Sequence, residues 1–379
     1  MQLGEMLSII MPVFNAEDTL KESIDSVVVN NTNGHELIIV DDASTDNSLE
    51  IIKDYEKKYD FIKVYSNKKN LGGGATRNHG VMMSKSQYIF VLDSDDILCD
   101  GTLERALNEI IEFDADAVAQ GKAVFFKKSI IEVEKEISFK KGQIYFSDLI
   151  SNEPNSVIGN LIFKRNIFDK VGGYPENHGF DTQGFGFRLL AYNAKIFVSD
   201  YQFYFQRLPT KPSYYIREYR NGNINKNWFF ILFESLYKFE SKARNLIMQY
   251  DYSCPYTQAK GNNVFHDLVL LSESGQNIFN YEGVDFDPDE AIKNYKESSN
   301  DLGIWAKFYM LYRDDYKIYE CKNTKMKNLF PAFYLLLANS ELTNFNYYYK
   351  LRYFLETKKT FSWRLKFFYH KILNKLRIL

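Results

Sequence analysis

The 379-residue chain is 45% apolar with a formal net charge of −2, which supplies a large core and argues against a general nucleic-acid binder. No apolar run reaches the roughly 18 residues of a spanning helix, and MQLGEMLSIIMPVF has no basic segment ahead of a cleavage site, so neither a membrane span nor a signal peptide is expected and the chain is placed in the cytoplasm. Cys99, Cys254 and Cys321 match neither a disulfide framework nor zinc spacing.

The first hundred residues alternate strand and helix signals. LSIIMPVF (7–14) reads as a strand, followed by Asn15 as a helix N-cap and a helix with Leu20, Ile24, Val27 and Val28 on one face. ELIIVDD (36–42) is a second strand, and Ser44, Thr45 or Asp46 caps a helix carrying Leu49, Ile51, Ile52, Tyr55 and Tyr59. FIKVYSN (61–67) is a third strand, 75–84 a third helix, and QYIFVLD (87–93) a fourth strand whose continuous apolar character suits the interior of a parallel sheet. A helix follows from Thr102 to about Phe113, then strand-like pieces DAVAQG, AVFFK and IIEVE, and a mixture of turns and strands over 142–208. Beyond about 220 the pattern turns helical and aromatic, with most of the excess of 28 Tyr and 31 Phe after residue 200. This predicts a doubly wound α/β domain over 1–220 and a mainly helical domain over 221–379.

In such a sheet, ligands lie at the carboxyl ends of the strands. There the second predicted strand ends in Asp41 and Asp42, and the fourth in Asp93, Asp95 and Asp96. Aspartates at these places also cap helices, but two clusters on one edge, one of them a D-x-D, suit a divalent cation. Mn²⁺ or Mg²⁺ is held by one or two carboxylates, with phosphate oxygens and water completing the shell.

PVFNAEDTLKESIDSV, VDDASTDNS, NLGGGATRN and YIFVLDSDD, in this order and spacing, resemble the nucleotide-diphospho-sugar transferases of glycosyltransferase family 2 across residues 6–210. The resemblance implies the GT-A fold and an inverting, metal-dependent transfer from a nucleotide-sugar, UDP-linked, to a glycan or lipid-linked acceptor in bacterial surface polysaccharide assembly. It places Pro12, Val13 and Phe14 beneath base and ribose, Asn15 and Glu17 near uridine, and Asp41 or Asp42 on the uracil imide. Gly72 and its neighbours give close backbone approach, Arg77 meets the diphosphate, Asp93 and Ser94 face the donor, and Asp93 and Asp95 serve the metal.

An attacking hydroxyl must lose its proton, so a general base is needed. The family's acidic motif is altered here: aligning on Arg188 and Leu189 leaves Thr182 and Gly184 where carboxylates are usual. Asp181 is therefore the expected base, with Glu176 as reserve, while His79 and His178 are left out of the catalytic set. Arg207, in YFQRLPTKPS, is expected on phosphate. The altered motif keeps a second possibility open, a catalytically inactive nucleotide-sugar-binding subunit of a membrane-associated complex. Finally, 358–379 spaces Leu365, Phe368, Tyr369, Ile372, Leu376 and Leu379 as one face of a helix among Lys and Arg, with no acid after Glu356. This suits an anionic membrane surface, a partner subunit or the chain's own domain.

Overall fold

The computed structural model describes residues 7–31, 34–144, 160–176 and 180–209, with shorter pieces at 231–232, 238–240, 242–243, 246–247 and 264–279. The chain divides into two compact units, Met1–Ile231 and Leu232–Leu379. In the first unit the strands are β1 (Leu7–Val13), β2 (Glu36–Asp41), β3 (Ile62–Ser66), β4 (Tyr88–Val91), β5 (Ile97–Leu98), β6 (Ala117–Ala119), β7 (Lys122–Phe126), β8 (Val133–Ser138), β9 (Gly142–Gln143), β10 (Ile162–Lys164), β11 (Ile196–Val198) and β12 (Tyr204–Arg207). The helices are α1 (Leu20–Asn30), α2 (Ser48–Lys58), α3 (Gly73–Met83), α4 (Thr102–Glu112), α5 (Arg165–Val171) and α6 (Asp181–Ala191).

An eight-stranded sheet runs β3-β2-β1-β4-β10-β6-β11-β9, beside a four-stranded sheet β5-β12-β7-β8. Its first four strands are parallel, and β10 enters antiparallel between β4 and β6. Ile9, Ile10, Met11, Leu37–Val40 and Ile89–Leu92 are fully buried, because helices cover both faces and every side chain of these strands meets protein. Strand order reverses at β1, which pairs with β2 on one side and β4 on the other. The crevice at that reversal is where an open α/β sheet takes ligands. The acid-tipped strands β2 and β4 therefore flank β1 rather than pair with each other.

α3 has the weakest intrinsic helical character, GGATRNHGVMM, since each glycine costs about 1 kcal/mol relative to Ala. Packing selects it. A Cβ on Gly80 would lie 2.4 Å from Ile10 Cγ2, so glycine lets α3 close on β1. A Cβ on Gly74 would lie 1.8 Å from the Pro175 carbonyl oxygen. The helix is thereby pressed between sheet and the 172–176 turn, and Arg77 is carried to the strand ends.

Several local expectations shift. Thr19, not Asn15, precedes α1; Asn15 adopts φ 50° in the turn before it and accepts from the Thr45 backbone N–H at 2.8 Å. α2 starts after Asn47, with Asp46 accepting from the Ser48 N–H at 3.0 Å. The strand expected at IIEVE begins only at Val133, because Ile130 and Ile131 lie in the exposed reversal between β7 and β8. In the second unit, α7 (Val264–Glu273) lies in sequence between Phe239 and Phe279, which form a β-bridge with their rings 4.8 Å apart. The basic segment 358–379 and most of the helical reading after 220 lie outside the described residues.

Candidate active site

Three charged side chains from distant parts of the chain meet beyond the end of β4. Arg77 donates from Nη2 to Asp93 Oδ1 at 2.6 Å and from Nη1 to Asp181 Oδ2 at 2.6 Å. The Arg77 and Asp181 side chains are 10% and 13% exposed, and that of Asp93 is 33% exposed. Burial by itself disfavours the guanidinium charge, and Asp181 and Asp93 more than offset it, so Arg77 stays protonated. The guanidinium also lies 5.9 Å from the centre of the buried Tyr174 ring. Its Nε has no hydrogen-bond partner. A Cβ on Gly73 would fall 2.6 Å from Arg77 Nη1 and 2.7 Å from Asp181 Oδ2, so the α3 backbone presses on this ion pair.

The other Asp93 oxygen accepts from Asn160 Nδ2 at 3.1 Å. Asn160 carries no signal in the sequence that marks it for the site; it reaches Asp93 because β10 pairs with β4. The turn after Asp93 is tied down from several sides. The Ser94 carbonyl accepts from Thr19 Oγ1 and Ser23 Oγ of the α1 region, at 3.1 and 2.9 Å. Buried Asp96 accepts from the Arg207 backbone N–H at 3.0 Å. Burial, then the charges of Asp95 and Asp93, push the Asp96 carboxyl well above its ordinary range.

Of the three carboxylates in this turn, only that of Asp95 receives no hydrogen bond from another described residue. Burial and then the charge of Asp93 push it up to about 6. A carboxylate so placed, bonded to no other described residue and crowded by a second negative charge, fits a hard cation, which would offset both effects. Among the described residues no three His, Cys, Asp or Glu side chains are grouped to hold a metal alone. An ion here needs oxygen ligands from substrate or water, as Mg²⁺ and Mn²⁺ commonly have.

At the tip of β2 the two aspartates differ. Asp42 accepts from Asn67 Nδ2 and the Leu71 N–H, both at 2.8 Å, and from the Gly72 N–H at 2.9 Å. It thus fixes the residue before α3, Gly72, whose φ of 87° suits glycine. Among the described residues the Asp41 carboxylate accepts only from the Ser44 N–H, at 3.2 and 3.3 Å. Between the two acid clusters, Pro12 and Val13 end β1, and Phe14 is half exposed beyond them. Asn15 and Glu17 bond across to the 44–47 turn, Glu17 accepting from Asn47 Nδ2 at 2.7 Å.

The remaining expected residues are placed as follows. Asp181 begins α6, and its second oxygen accepts from the Thr182 N–H at 3.0 Å. Glu176 is exposed and accepts from Asn78 Nδ2 at 2.7 Å. The Arg207 guanidinium donates to the Asp95 carbonyl at 2.9 Å and to Glu22 of α1. His79 shares a 2.8 Å hydrogen bond between its Nδ1 and Asn67 Oδ1. His178 lies outside the described residues.

Parallel strands reversing at β1, with acids and a buried arginine at the reversal, make a ligand crevice of the kind open α/β sheets carry. Residues 8–172, under half of the chain, match the model for Glycosyl transferase family 2, and the α/β fold is of the GT-A type. Among curated proteins, the chain is 43% identical over 106 residues to a poly(ribitol-phosphate) beta-glucosyltransferase of Bacillus spizizenii, covering 27% of this chain and 17% of that protein. It is 35% identical over 175 residues to the poly(ribitol-phosphate) beta-N-acetylglucosaminyltransferase TarP of Staphylococcus aureus, covering 43% and 50%. The chain thus spans half or less of the length of these relatives. The crystal structure of S. aureus TarS 1–349 in complex with UDP superposes with a TM-score of 0.52 at 18% identity, covering 91% of each chain. At that identity the likeness is one of fold.

Proposed function

We propose that this chain is an inverting, metal-dependent glycosyltransferase that moves a sugar from a UDP-sugar to a hydroxyl of a polymeric or lipid-linked glycan at the bacterial cell surface. The observation that carries the reading is the Asp93–Arg77–Asp181 triad at the strand reversal, adjoining the unbonded Asp95. The relatives' names, which specify poly(ribitol-phosphate) acceptors, and the UDP bound by the TarS fold neighbour support the donor and the acceptor class.

In this reading Asp95, with Asp93 beside it, holds Mn²⁺ or Mg²⁺, which when bound supplies positive charge to the donor diphosphate. Arg77 adds a fixed cation on the same side and stabilises the negative charge that grows on the departing nucleoside diphosphate. Asp41, with fewer internal bonds than Asp42, meets the uracil imide, and Pro12, Val13 and Phe14 floor the nucleoside. Asp42 holds Gly72 and so the start of α3. Asp181 accepts the proton of the attacking hydroxyl. Because Asp181 and the diphosphate both seek Arg77, the incoming phosphates compete for its guanidinium and release an Asp181 oxygen toward the acceptor hydroxyl. The basic segment 358–379 seats the protein on the inner membrane face beside a lipid-linked or membrane-proximal acceptor.

A second reading, a binding subunit without catalysis, is favoured by one feature: both Asp181 oxygens are already hydrogen-bonded. UDP release from UDP-glucose and UDP-N-acetylglucosamine, with poly(ribitol phosphate) as acceptor and with Mn²⁺ or EDTA, separates the two. Release that needs Mn²⁺ and is lost in Asp181→Asn supports transfer. UDP binding with no release from either donor supports the inactive subunit.

A further inference from the structure

We infer that Arg207 and Glu22 form a clamp that aims the Asp95 carboxylate, making both of them positioning residues for the ion rather than phosphate ligands. The inference rests on the ion-binding role proposed for Asp95.

The Asp93–Asp96 turn owes its shape to bonds from outside itself. α1 holds the Ser94 carbonyl through Thr19 and Ser23. Arg207 holds the next two residues: its Nε donates to the Asp95 carbonyl at 2.9 Å, and its backbone N–H donates to Asp96 Oδ1 at 3.0 Å. The guanidinium is itself seated. Nη2 donates to Glu22 on α1, Nη1 faces the Lys127 carbonyl at 3.4 Å, and the cation lies 4.4 Å from the centre of the Phe126 ring. Its side chain is only 11% exposed. All three guanidinium nitrogens thus have protein partners, and the fork spans three elements: α1, the metal turn and the end of β7.

Two consequences follow. Three of the five guanidinium N–H groups are engaged and the side chain is only 11% exposed, so a diphosphate reaches the other two only by loosening the turn that Arg207 holds. And with the Ser94 and Asp95 carbonyls and the Asp96 carboxylate pinned, the backbone on both sides of the Asp95 Cα is held, so the Asp95 Cβ is aimed before any ion arrives and only the side chain's own torsions stay free. Partners behind a metal ligand typically contribute 10- to 100-fold in metal affinity. A lysine cannot copy this arrangement, since it offers a point charge rather than a planar fork.

The test uses the full chain and two variants, Arg207→Lys and Glu22→Ala. Mn²⁺ affinity is measured in the presence of UDP by electron paramagnetic resonance of the free ion, and UDP affinity is measured by calorimetry in EDTA. The clamp predicts that Arg207→Lys weakens Mn²⁺ by on the order of tenfold or more, and Glu22→Ala weakens it less in the same direction. UDP affinity in EDTA stays within about twofold of wild type, and kcat largely recovers at saturating Mn²⁺. Weaker UDP binding in EDTA for Arg207→Lys would put Arg207 on phosphate and overturn the clamp. So would unchanged Mn²⁺ affinity in both variants of a protein that binds Mn²⁺ as wild type. A wild type that binds no Mn²⁺ with UDP overturns the ion assignment itself, a distinct result. If Arg207→Lys melts below the assay temperature, Glu22→Ala decides, because it leaves Arg207 in place.

Discussion

Replacing Arg77 by Met keeps an unbranched apolar stem and removes the charged guanidinium. Two hydrogen bonds of 2.6 Å to carboxylates disappear, and Asp181, 13% exposed, is left facing Asp93 with no cation between them. Hydrogen bonds to charged groups contribute about 1.5–3 kcal/mol each, and breaking a buried ion pair costs about 3–5 kcal/mol. Asp93 is a third exposed and regains water, which lowers the total to about 3 kcal/mol. For a domain of this size that is a fall in Tm of roughly 6–12 °C, readable by differential scanning fluorimetry without ligands. Arg77→Lys should recover less than half of the loss, because lysine cannot bridge both carboxylates as a fork. In the same variants transfer should drop by about 10²–10³-fold, the effect typical of losing one preorganised charge. A Tm within about 2 °C of wild type for Arg77→Met would refute the triad as a stabilising network. A lower Tm with transfer unchanged would refute the role of Arg77 at the diphosphate.

Other outcomes follow from the same geometry. Asp42→Ala frees Asn67 Nδ2 and the Leu71 and Gly72 N–H groups; chemical denaturation should show a loss on the order of 2–4 kcal/mol, whereas Asp41→Ala, with one bonded partner, should lose less stability and more UDP affinity. Gly74→Ala puts a Cβ 1.8 Å from the Pro175 carbonyl oxygen, so α3 must shift; soluble yield and Tm should both fall, and a protein as stable as wild type would contradict the packing described. Burial holds the His79 imidazole below its ordinary value of 6.5. Its neutral form is favoured by folding, so stability is full above about pH 6.5 and declines as pH falls through that value. His79→Gln should flatten this part of the curve, and an unchanged slope in urea titrations from pH 7.5 to 5 would show that another group sets it.

β1, β2 and β4 were legible because each is largely buried on both faces and reads as an apolar run ending in a turn or an acid, whereas β3, at the sheet edge, is partly exposed and carries Lys63 within its run. β5 was not, being two residues long and paired with β12 from more than a hundred positions away. The start of β8 was misplaced because Ile130 and Ile131 carry strand propensity but sit at an exposed reversal. α3, GGATRNHGVMM, has no apolar stripe, and the expected start at residue 75 lies two residues inside the observed start at Gly73. Asp93 and Asp95 were visible as residue types at a strand end, and Arg77 came from the family resemblance. What the sequence does not contain is the pairing of Arg77 with Asp181, 104 positions apart, or of Arg207 with Glu22, 185 apart. Asn160 was silent for the same reason: its contact with Asp93 follows from β10 lying against β4, and antiparallel insertion leaves no local mark.

The measurement closest to the central claim is calorimetric titration of UDP into the wild type and into Asp95→Asn, each with Mn²⁺ and with EDTA. The account predicts tighter UDP binding with Mn²⁺ in the wild type, loss of that increment in Asp95→Asn, and similar affinities for both proteins in EDTA. Equal Mn²⁺ enhancement in the two proteins, or none in the wild type, would contradict it.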